Sequence, residues 1–280
     1  MRIGVTIMPT ERSIPLWDFA RAAEELGFES VFVPEHTHIP AARQTPFPQG
    51  GELPDAYRRV FDPFVALAAA AMQTTTIRIG TGVCLVTQHD PITLAKQVAT
   101  LDHVSGGRFL FGVGAGWNRE EMANHGTPPD QRWAVLRERV LAMTAIWTQD
   151  LAEYHGSHVS FDKIWSWPKP LQRPRPPLLL GGASRPALER VAELADAWMP
   201  IATDPATIAE QRRTLDDLAA AAGRDRVPVT VFSPPAQPEL LAEYARLGVE
   251  RCVLGVPSAD AVEVLPRLRK YAARLGLSPG

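Results

Sequence analysis

The stretch of sequence that decides the fold is IRIGTGVCLVTQHDPITLAKQVATLDHVSGGRFLFGVG, residues 77–114. It begins with a run rich in β-branched residues, continues through an Ala/Leu-rich segment, and ends in a second apolar run. Asp90 before Pro91 is a typical N-cap and first-turn pair for a helix, so the middle segment is predicted to be helical. The stretch therefore predicts a strand, a helix and a second strand parallel to the first.

The same alternation continues in both directions along the chain. Counting outward from residues 77–114 gives eight strand–helix pairs, which favours a parallel (β/α)₈ TIM barrel within the α/β class. A doubly wound open sheet is the alternative, because periodicity does not show closure. We expect a single domain over residues 1–280, with predicted strands at residues 2–8, 30–35, 77–86, 108–114, 176–182, 196–201, 227–232 and 250–256.

Composition excludes several classes of protein. The chain has 280 residues, 45% apolar and 21% charged, with a net charge of −2 and scattered Lys and Arg residues. We therefore expect no nucleic-acid partner. Two cysteines, Cys84 and Cys252, give no disulfide framework. No stretch approaches the roughly 20 apolar residues of a membrane-spanning helix, and the N-terminus lacks the features of a signal peptide, so we expect no membrane partner and a cytoplasmic location.

Three connections are too long to be plain turns: residues 37–61, 117–129 and 150–177. Long loops inside a compact domain are usually functional or disordered. The first two follow predicted strands, so in a barrel they lie on the C-terminal face, where active sites are built. The third follows a helix and begins on the opposite rim.

The residues Glu35, His36, Thr37 and His38 follow the second predicted strand directly. They are expected at the C-terminal face, where His36 would lie at a reacting centre; an ordinary polar turn is the alternative. Two histidines spaced His-x-His also suggest a metal site, which needs further ligands at other strand ends. The other strands end mainly in glycine, so we expect no metal site.

Glycines cluster at three predicted strand ends, within residues 80–85, 111–118 and 180–186. The third cluster opens a helix at Ser184, and exposed N–H groups at a helix N-terminus favour anions. Any one cluster alone is better explained as a turn or a barrel bend than as a ligand site. Three clusters on one face predict a flat, phosphate-bearing ligand lying against backbone, as a flavin-like cofactor would.

Three blocks carry a resemblance to a known family: residues 23–36, 77–121 and 176–200. In these blocks, which are spread over nearly the whole chain, the sequence resembles the luciferase-like monooxygenase superfamily and, within it, the oxidoreductases that use the deazaflavin coenzyme F420. The resemblance implies a TIM barrel with long loop insertions and a homodimer. It also implies a non-prolyl cis peptide bond at Gly82–Val83, supporting the cofactor ring.

The same resemblance assigns site residues. His36 matches the histidine beside the reactive ring carbon, which makes it the candidate catalytic residue, and His38 is expected at the rim of the pocket. Glycines equivalent to Gly114 and Gly181 line the ribityl and phosphate tail. The candidate cofactor-binding set is Glu35, His36, Gly82, Val83, Gly114, Ala115, Gly116, Trp117, Asn118, Gly181, Gly182, Ala183 and Ser184.

One departure from the family pattern limits the substrate. Sugar-phosphate dehydrogenases of this family have a glutamate where this chain has Trp117, and the basic residues that hold a sugar phosphate are not evident. Glu120 and Glu121 are only loose substitutes. The favoured function is hydride transfer between coenzyme F420 and a small organic substrate. The alternatives are a monooxygenase that uses reduced FMN and oxygen with a partner flavin reductase, a non-catalytic cofactor-binding protein and, more distantly, a metal hydrolase.

Overall fold

The stretch 77–114 folds as strand, helix and parallel strand in the computed structural model, which describes residues 1–278. The strands are β1 Arg2–Thr6, β2 Ser30–Val33, β3 Arg78–Thr81, β4 Cys84–Leu85, β5 Phe109–Gly114, β6 Ala152–His155, β7 Ser160–Ile164, β8 Leu178–Leu180, β9 Ala197–Trp198, β10 Thr230–Phe232 and β11 Arg251–Gly255. The α-helices are α1 Leu16–Glu25, α2 Pro63–Met72, α3 Pro91–Val104, α4 Arg119–Asn124, α5 Arg132–Thr148, α6 Arg185–Leu194, α7 Pro205–Ala221, α8 Pro238–Arg246 and α9 Ala261–Leu275.

The main sheet is parallel and runs in the order β10-β11-β1-β2-β3-β5-β8-β9, with β4 continuing β3 along β5. Parallel bridges join Trp198 to Val229 and Ile201 to Phe232, so that β9 meets β10 and the sheet closes. The predicted barrel is confirmed. All its strands have their carboxyl ends on one face, which is where the site lies.

Side chains alternate between the inside of the barrel and the layer beneath the helices. The barrel interior holds Phe32, Leu110, Leu179 and Val253, all buried. A Cβ on Gly80 would lie 2.6 Å from the Phe32 ring, so only glycine leaves room for that ring. The larger cluster lies between strands and helices and holds the fully buried Trp147 and Trp198.

Five helices begin at a side chain that accepts a first-turn N–H group: α2 at Asp62, α3 at Asp90, α4 at Asn118, α7 at Asp204 and α9 at Asp260. Such caps satisfy N–H groups that the helix itself leaves free. They fix where the helix begins after each loop. The prediction for Asp90 is confirmed.

All three predicted long loops contain structure, and residues 37–61 include a 3₁₀ helix at Asp55–Arg58. Residues 117–129 include the short helix α4, and residues 150–177 include the antiparallel hairpin β6–β7. The Glu138 carboxylate on α5 accepts the backbone N–H groups of Ser157, His158 and Val159 and so holds the turn of the hairpin against the helix. Among the described residues, no helix combines the length and apolar character needed to cross a membrane.

Candidate active site

A cavity of about 480 Å³ opens at the carboxyl ends of the barrel strands. Of the thirteen predicted cofactor-binding residues, nine line it: Glu35, His36, Gly82, Val83, Gly114, Gly116, Trp117, Gly181 and Gly182. The other four lie beside the cavity wall rather than in it. Ala115 is buried behind the wall, Asn118 caps α4, and Ala183 and Ser184 are exposed before α6.

The wall between β3 and β4 is backbone. The peptide bond Gly82–Val83 is cis, which confirms the expectation that the resemblance gave for this bond. A Cβ on Gly114 would lie 2.7 Å from Cγ2 of Val83, and a Cβ on Gly82 would lie 2.6 Å from the Phe232 ring. Glycine at these two positions lets β5 and β10 pack closely against this bond, so a flat ligand can lie directly on main chain.

His36, at the exit of β2, is held by a buried carboxylate. Its Nδ1 atom lies 2.8 Å from Oε2 of Glu121, and the two side chains are 5% and 1% exposed. The Trp117 indole Nε1–H donates to Nε2 of His36 at 3.3 Å. Because an indole nitrogen only donates, Nε2 is an acceptor, and Nδ1 must then carry the proton that faces Glu121. The geometry therefore selects one tautomer, with Nε2 free to accept a proton.

Glu121 reaches His36 because of the way α4 begins. The Asn118 side-chain oxygen accepts the Glu121 N–H group at 3.2 Å and sets the first turn of the helix. The second carboxylate oxygen of Glu121, Oε1, and the side-chain nitrogen of Asn118 are buried without a partner among residues 1–278. Sequence analysis treated Glu121 as a loose substitute, but it is the direct partner of His36. The available signal was its spacing of three residues from an N-cap asparagine.

Two aromatic rings lie beside His36, and a third, Phe47, packs against both of them without lining the cavity itself. Tyr57 and Trp117 lie with ring centroids 5.3 and 5.8 Å from the imidazole, and Phe47 lies 5.1 Å from Tyr57 and 6.0 Å from Trp117. We call His36, Phe47, Tyr57 and Trp117 the aromatic end of the cavity. Burial raises the pKa of Tyr57, so its hydroxyl stays protonated at neutral pH. Phe47 and Tyr57 come from loop 37–61, which has no periodicity, and sequence analysis missed both.

Loop 37–61 is fastened to α4 by Glu120. The Glu120 Oε1 atom accepts the N–H groups of Gln44 and Thr45 at 3.0 and 3.1 Å, and Thr45 Oγ1 accepts the N–H of Arg119. Hydrogen bonding by the Thr45 side chain and by these backbone groups lowers the pKa of Glu120 to about 2. His38 bonds to Thr37 and Asn124 in the same region and is not among the cavity-lining residues, so its expected place at the rim of the pocket stays a prediction.

A second end of the cavity lies at the exit of β8. There Gly181, Gly182 and Trp133 line the cavity, and Cζ of Arg190 and of Arg132 lie 4.0 and 5.6 Å from the Trp133 ring centroid. We call these five residues the glycine–arginine end. Among the described residues neither arginine forms an ion pair, and burial together with the charge of Arg132 lowers the pKa of Arg190.

Beneath the cis bond, Glu35, Cys84 and His89 bring three potential metal-ligand atoms within 4.8 Å of one another. Hydrogen bonds already occupy the carboxylate, since Oε2 accepts the Leu85 N–H and Oε1 lies 2.8 Å from Nε2 of His89. Burial, and then the charge of Glu35, raise the pKa of Cys84 well above 9, so the thiol keeps its proton at neutral pH. We interpret the cluster as hydrogen-bonded support for this wall.

Comparison with known proteins identifies relatives of the chain. The family model described as luciferase-like monooxygenase matches residues 5–237. The uncharacterized protein Rv0953c of Mycobacterium tuberculosis is 43% identical over 280 residues, which cover 98% of this chain and 99% of that protein.

Solved structures share the fold. The monooxygenase RslO1 from Streptomyces bottropensis superposes with a TM-score of 0.80 at 21% identity, over 98% of both chains. An F420-dependent secondary alcohol dehydrogenase in complex with an F420-acetone adduct gives 0.78 at 18% identity, over 99% of this chain and 98% of that one. The oxygenating constituent of 3,6-diketocamphane monooxygenase from Pseudomonas putida, in complex with FMN, gives 0.68 at 21% identity, over 83% and 66%.

Proposed function

The chain belongs to the luciferase-like monooxygenase family, and from this premise we propose that it is a coenzyme F420-dependent oxidoreductase acting on a small organic substrate. The observation that carries the proposal is the state of His36. Its Nε2 atom is a proton acceptor in the cavity wall, and its Nδ1 proton is held by a buried carboxylate. Oxidation of an alcohol needs such a base, because a hydride leaves carbon and a proton leaves oxygen.

The residues present fit a deazaflavin. The backbone wall at Gly82–Val83 offers a flat surface between the two ends of the cavity. Residues Gly181 and Gly182 would hold the phosphate, because they precede α6, whose N-cap residue Ser184 makes no side-chain capping hydrogen bond. Pro186 has no N–H group and the Ala187 N–H is bonded to the Ser184 carbonyl, so the first-turn N–H group left for an anion is that of Arg185. When bound, coenzyme F420 supplies a carbon that accepts or donates a hydride. The protein need then only place the substrate and move its proton.

His36 is the group that moves the proton. A substrate hydroxyl that replaces Trp117 as the hydrogen-bond partner of Nε2 can pass its proton to that atom. Glu121 keeps the ring in the required tautomer and provides the counter-charge for the imidazolium that forms, in the way that a buried carboxylate does for other catalytic histidines. For reduction of a ketone the same steps run in reverse.

The choice of F420 over FMN is supported by charge. Coenzyme F420 carries acidic groups beyond its phosphate, whereas FMN ends at the phosphate. Arg132 and Arg190 lie over the ring of the cavity-lining Trp133, and neither has a carboxylate partner among residues 1–278, although Arg132 donates to the Pro129 carbonyl. Arginine suits phosphate and carboxylate groups, since its planar donors pair with both oxygens.

The test is titration of the purified protein with coenzyme F420 and, in parallel, with FMN, followed by cofactor fluorescence. Micromolar binding of F420, with much weaker binding of FMN, is the expected result. The variant His36→Gln should still bind F420 and lose turnover. Preferential binding of reduced FMN would instead make the protein an oxygen-using monooxygenase that a flavin reductase supplies.

A further inference from the structure

We propose that the aromatic end of the cavity binds an uncharged, largely apolar substrate that carries a single hydroxyl or carbonyl group next to a ring-sized body. This inference rests on the proposed function, because it assumes that His36 exchanges a proton with that oxygen. It assigns a substrate class to the site. Substrates that carry a phosphate or a carboxylate near the reacting carbon are excluded.

Three arginines on loop 37–61 lie near the aromatic end, and none of them is among the cavity-lining residues. Arg43 donates to the carbonyl of Thr45 and lies with Cζ 5.5 Å from the Trp117 ring centroid, without a carboxylate partner among the described residues. Arg58 and Arg59 both pair with Asp55. None of the three places a guanidinium group in the cavity lining, where an anionic substrate would need its counter-charge.

The cavity wall itself offers no positive charge. Among the described residues that line it there is no Lys, Arg or Asp. The one carboxylate, Glu35, is already bonded to the Leu85 N–H and to His89. Moving an anion from water to an apolar surface without a partner is costly, whereas an uncharged ring gains from leaving water. The cost of removing a charged group from water therefore makes this wall favour uncharged substrates over anionic ones.

The polar atoms at this end suit one oxygen. Nε2 of His36 accepts and Nε1 of Trp117 donates, and these atoms lie 3.3 Å apart. A hydroxyl can donate to the first and accept from the second, and a carbonyl can accept from a protonated His36 or from the indole. Met8, the Tyr57 ring and Ile201 are among the cavity-lining residues and offer apolar contact for the rest of the molecule.

The experiment compares two ketones of matched shape on the F420-loaded protein: acetophenone and 4-acetylbenzoate, which adds one carboxylate. Ligand-observed NMR measures their binding without turnover. We expect acetophenone to bind at least about tenfold more tightly, which is 1.4 kcal/mol. Equal or tighter binding of 4-acetylbenzoate would overturn the inference while leaving the cofactor assignment intact. Failure of the protein to bind F420 would instead contradict the proposed function.

A charge introduced into the wall sharpens the test. Gln49 lines the cavity on loop 37–61, whereas Gln44, on the same loop, does not. In Gln49→Lys the preference for acetophenone should shrink or reverse, and in the control Gln44→Lys it should persist. Equal shifts in the two variants would mean that the discrimination does not arise in this wall, and the inference would fail.

Discussion

The two ends of the cavity are built from opposite chemistry. At the aromatic end, two rings lie beside His36 and a third packs against both. Arg58 and Arg59 pair with Asp55, and Arg43 lies over the Trp117 ring. At the glycine–arginine end, two guanidinium groups have no carboxylate partner among residues 1–278, and a helix begins without a side-chain cap. Gly181 follows β8 and His36 follows β2, and β3 and β5 lie between these two strands in the barrel.

This difference indicates how one cavity can serve two ligands. In the proposed function, an anionic group is favoured at the glycine–arginine end, and no cation is among the cavity-lining residues at the aromatic end. A cofactor with an acidic tail would then be oriented with its tail at β8 and its ring on the backbone wall. The substrate would then bind at the uncharged end of the cavity, beside His36. A substitution at one end should therefore change the binding or reaction of the ligand at that end and leave the other ligand unaffected.

The largest effect is expected for His36→Gln. Glutamine keeps a polar side chain but cannot accept the substrate proton at neutral pH, and general base catalysis typically contributes about 10²–10⁴-fold. We expect kcat to fall by that factor while the dissociation constant of F420 stays nearly unchanged, because the tail is held at the other end. Steady-state kinetics and fluorescence titration measure the two quantities. A parallel loss of cofactor affinity would show that the ends are not independent.

A smaller loss of activity is expected for Glu121→Gln. The amide can still accept from Nδ1 of His36, but the imidazolium loses its counter-charge, and a hydrogen bond to a charged group contributes about 1.5–3 kcal/mol, which corresponds to about 10–100-fold. We expect the loss in kcat, with KM nearly unchanged. Recovery of kcat by Glu121→Asp would support orientation through the carboxylate charge.

The control for Glu121 is its neighbour Glu120, which fastens loop 37–61 through Gln44 and Thr45. Loosening that loop in Glu120→Gln should raise KM more than it lowers kcat. The same pattern of kcat and KM changes in both variants would mean that Glu121 acts only by supporting the local fold.

The sequence predicts the strands that carry the site better than the contacts between its side chains. Eight strand–helix periods and glycines at strand ends follow from local patterns, and the resemblance supplies the cis bond at Gly82–Val83. The pairing of His36 with Glu121 joins residues 85 positions apart and depends on how Asn118 starts a short helix. No local pattern encodes such a contact.

The same limit applies to both ends of the cavity. Loop 37–61 has no periodicity, so the position of Tyr57 over His36 comes from tertiary contacts alone. Trp133 and Arg190 lie on α5 and α6, where their sequence context is that of ordinary helix surfaces. The hairpin β6–β7 was missed because its two strands are short and carry mostly exposed residues, without a buried apolar alternation.

At the glycine–arginine end, Arg190→Gln should weaken binding of F420 about tenfold, since a hydrogen bond to a charged group contributes about 1.5–3 kcal/mol and this site is partly solvated. The effect should be smaller for a shortened cofactor that ends at the phosphate, and kcat at saturating cofactor should not change. The matched control is Arg137→Gln on α5, because Arg137 is already paired with Glu193. Equal weakening of F420 binding by both variants would contradict a specific role of the glycine–arginine end in holding the cofactor.

The smallest effect is expected where the two ends meet, beneath the cis bond. Burial lowers the pKa of His89, but the hydrogen bond and charge of Glu35 outweigh it, so the pKa is raised above its usual 6.5. A raised pKa means that the folded state holds this proton more tightly than the unfolded chain does. The stabilisation is fully present below about pH 6.5, while Glu35 stays ionised, and is lost as the pH rises through the raised value.

In His89→Gln the free energy of unfolding should therefore fall more at pH 6 than at pH 9, by no more than about 2 kcal/mol for one charge-assisted hydrogen bond. Urea denaturation of both proteins at the two pH values measures this difference. The exposed His155 on the hairpin has no carboxylate partner among the described residues, so His155→Gln should show no such dependence. A larger loss at pH 9 would mean that His89 supports the wall as a neutral ring, and the charge of Glu35 would then be free to act on the cavity between its two ends.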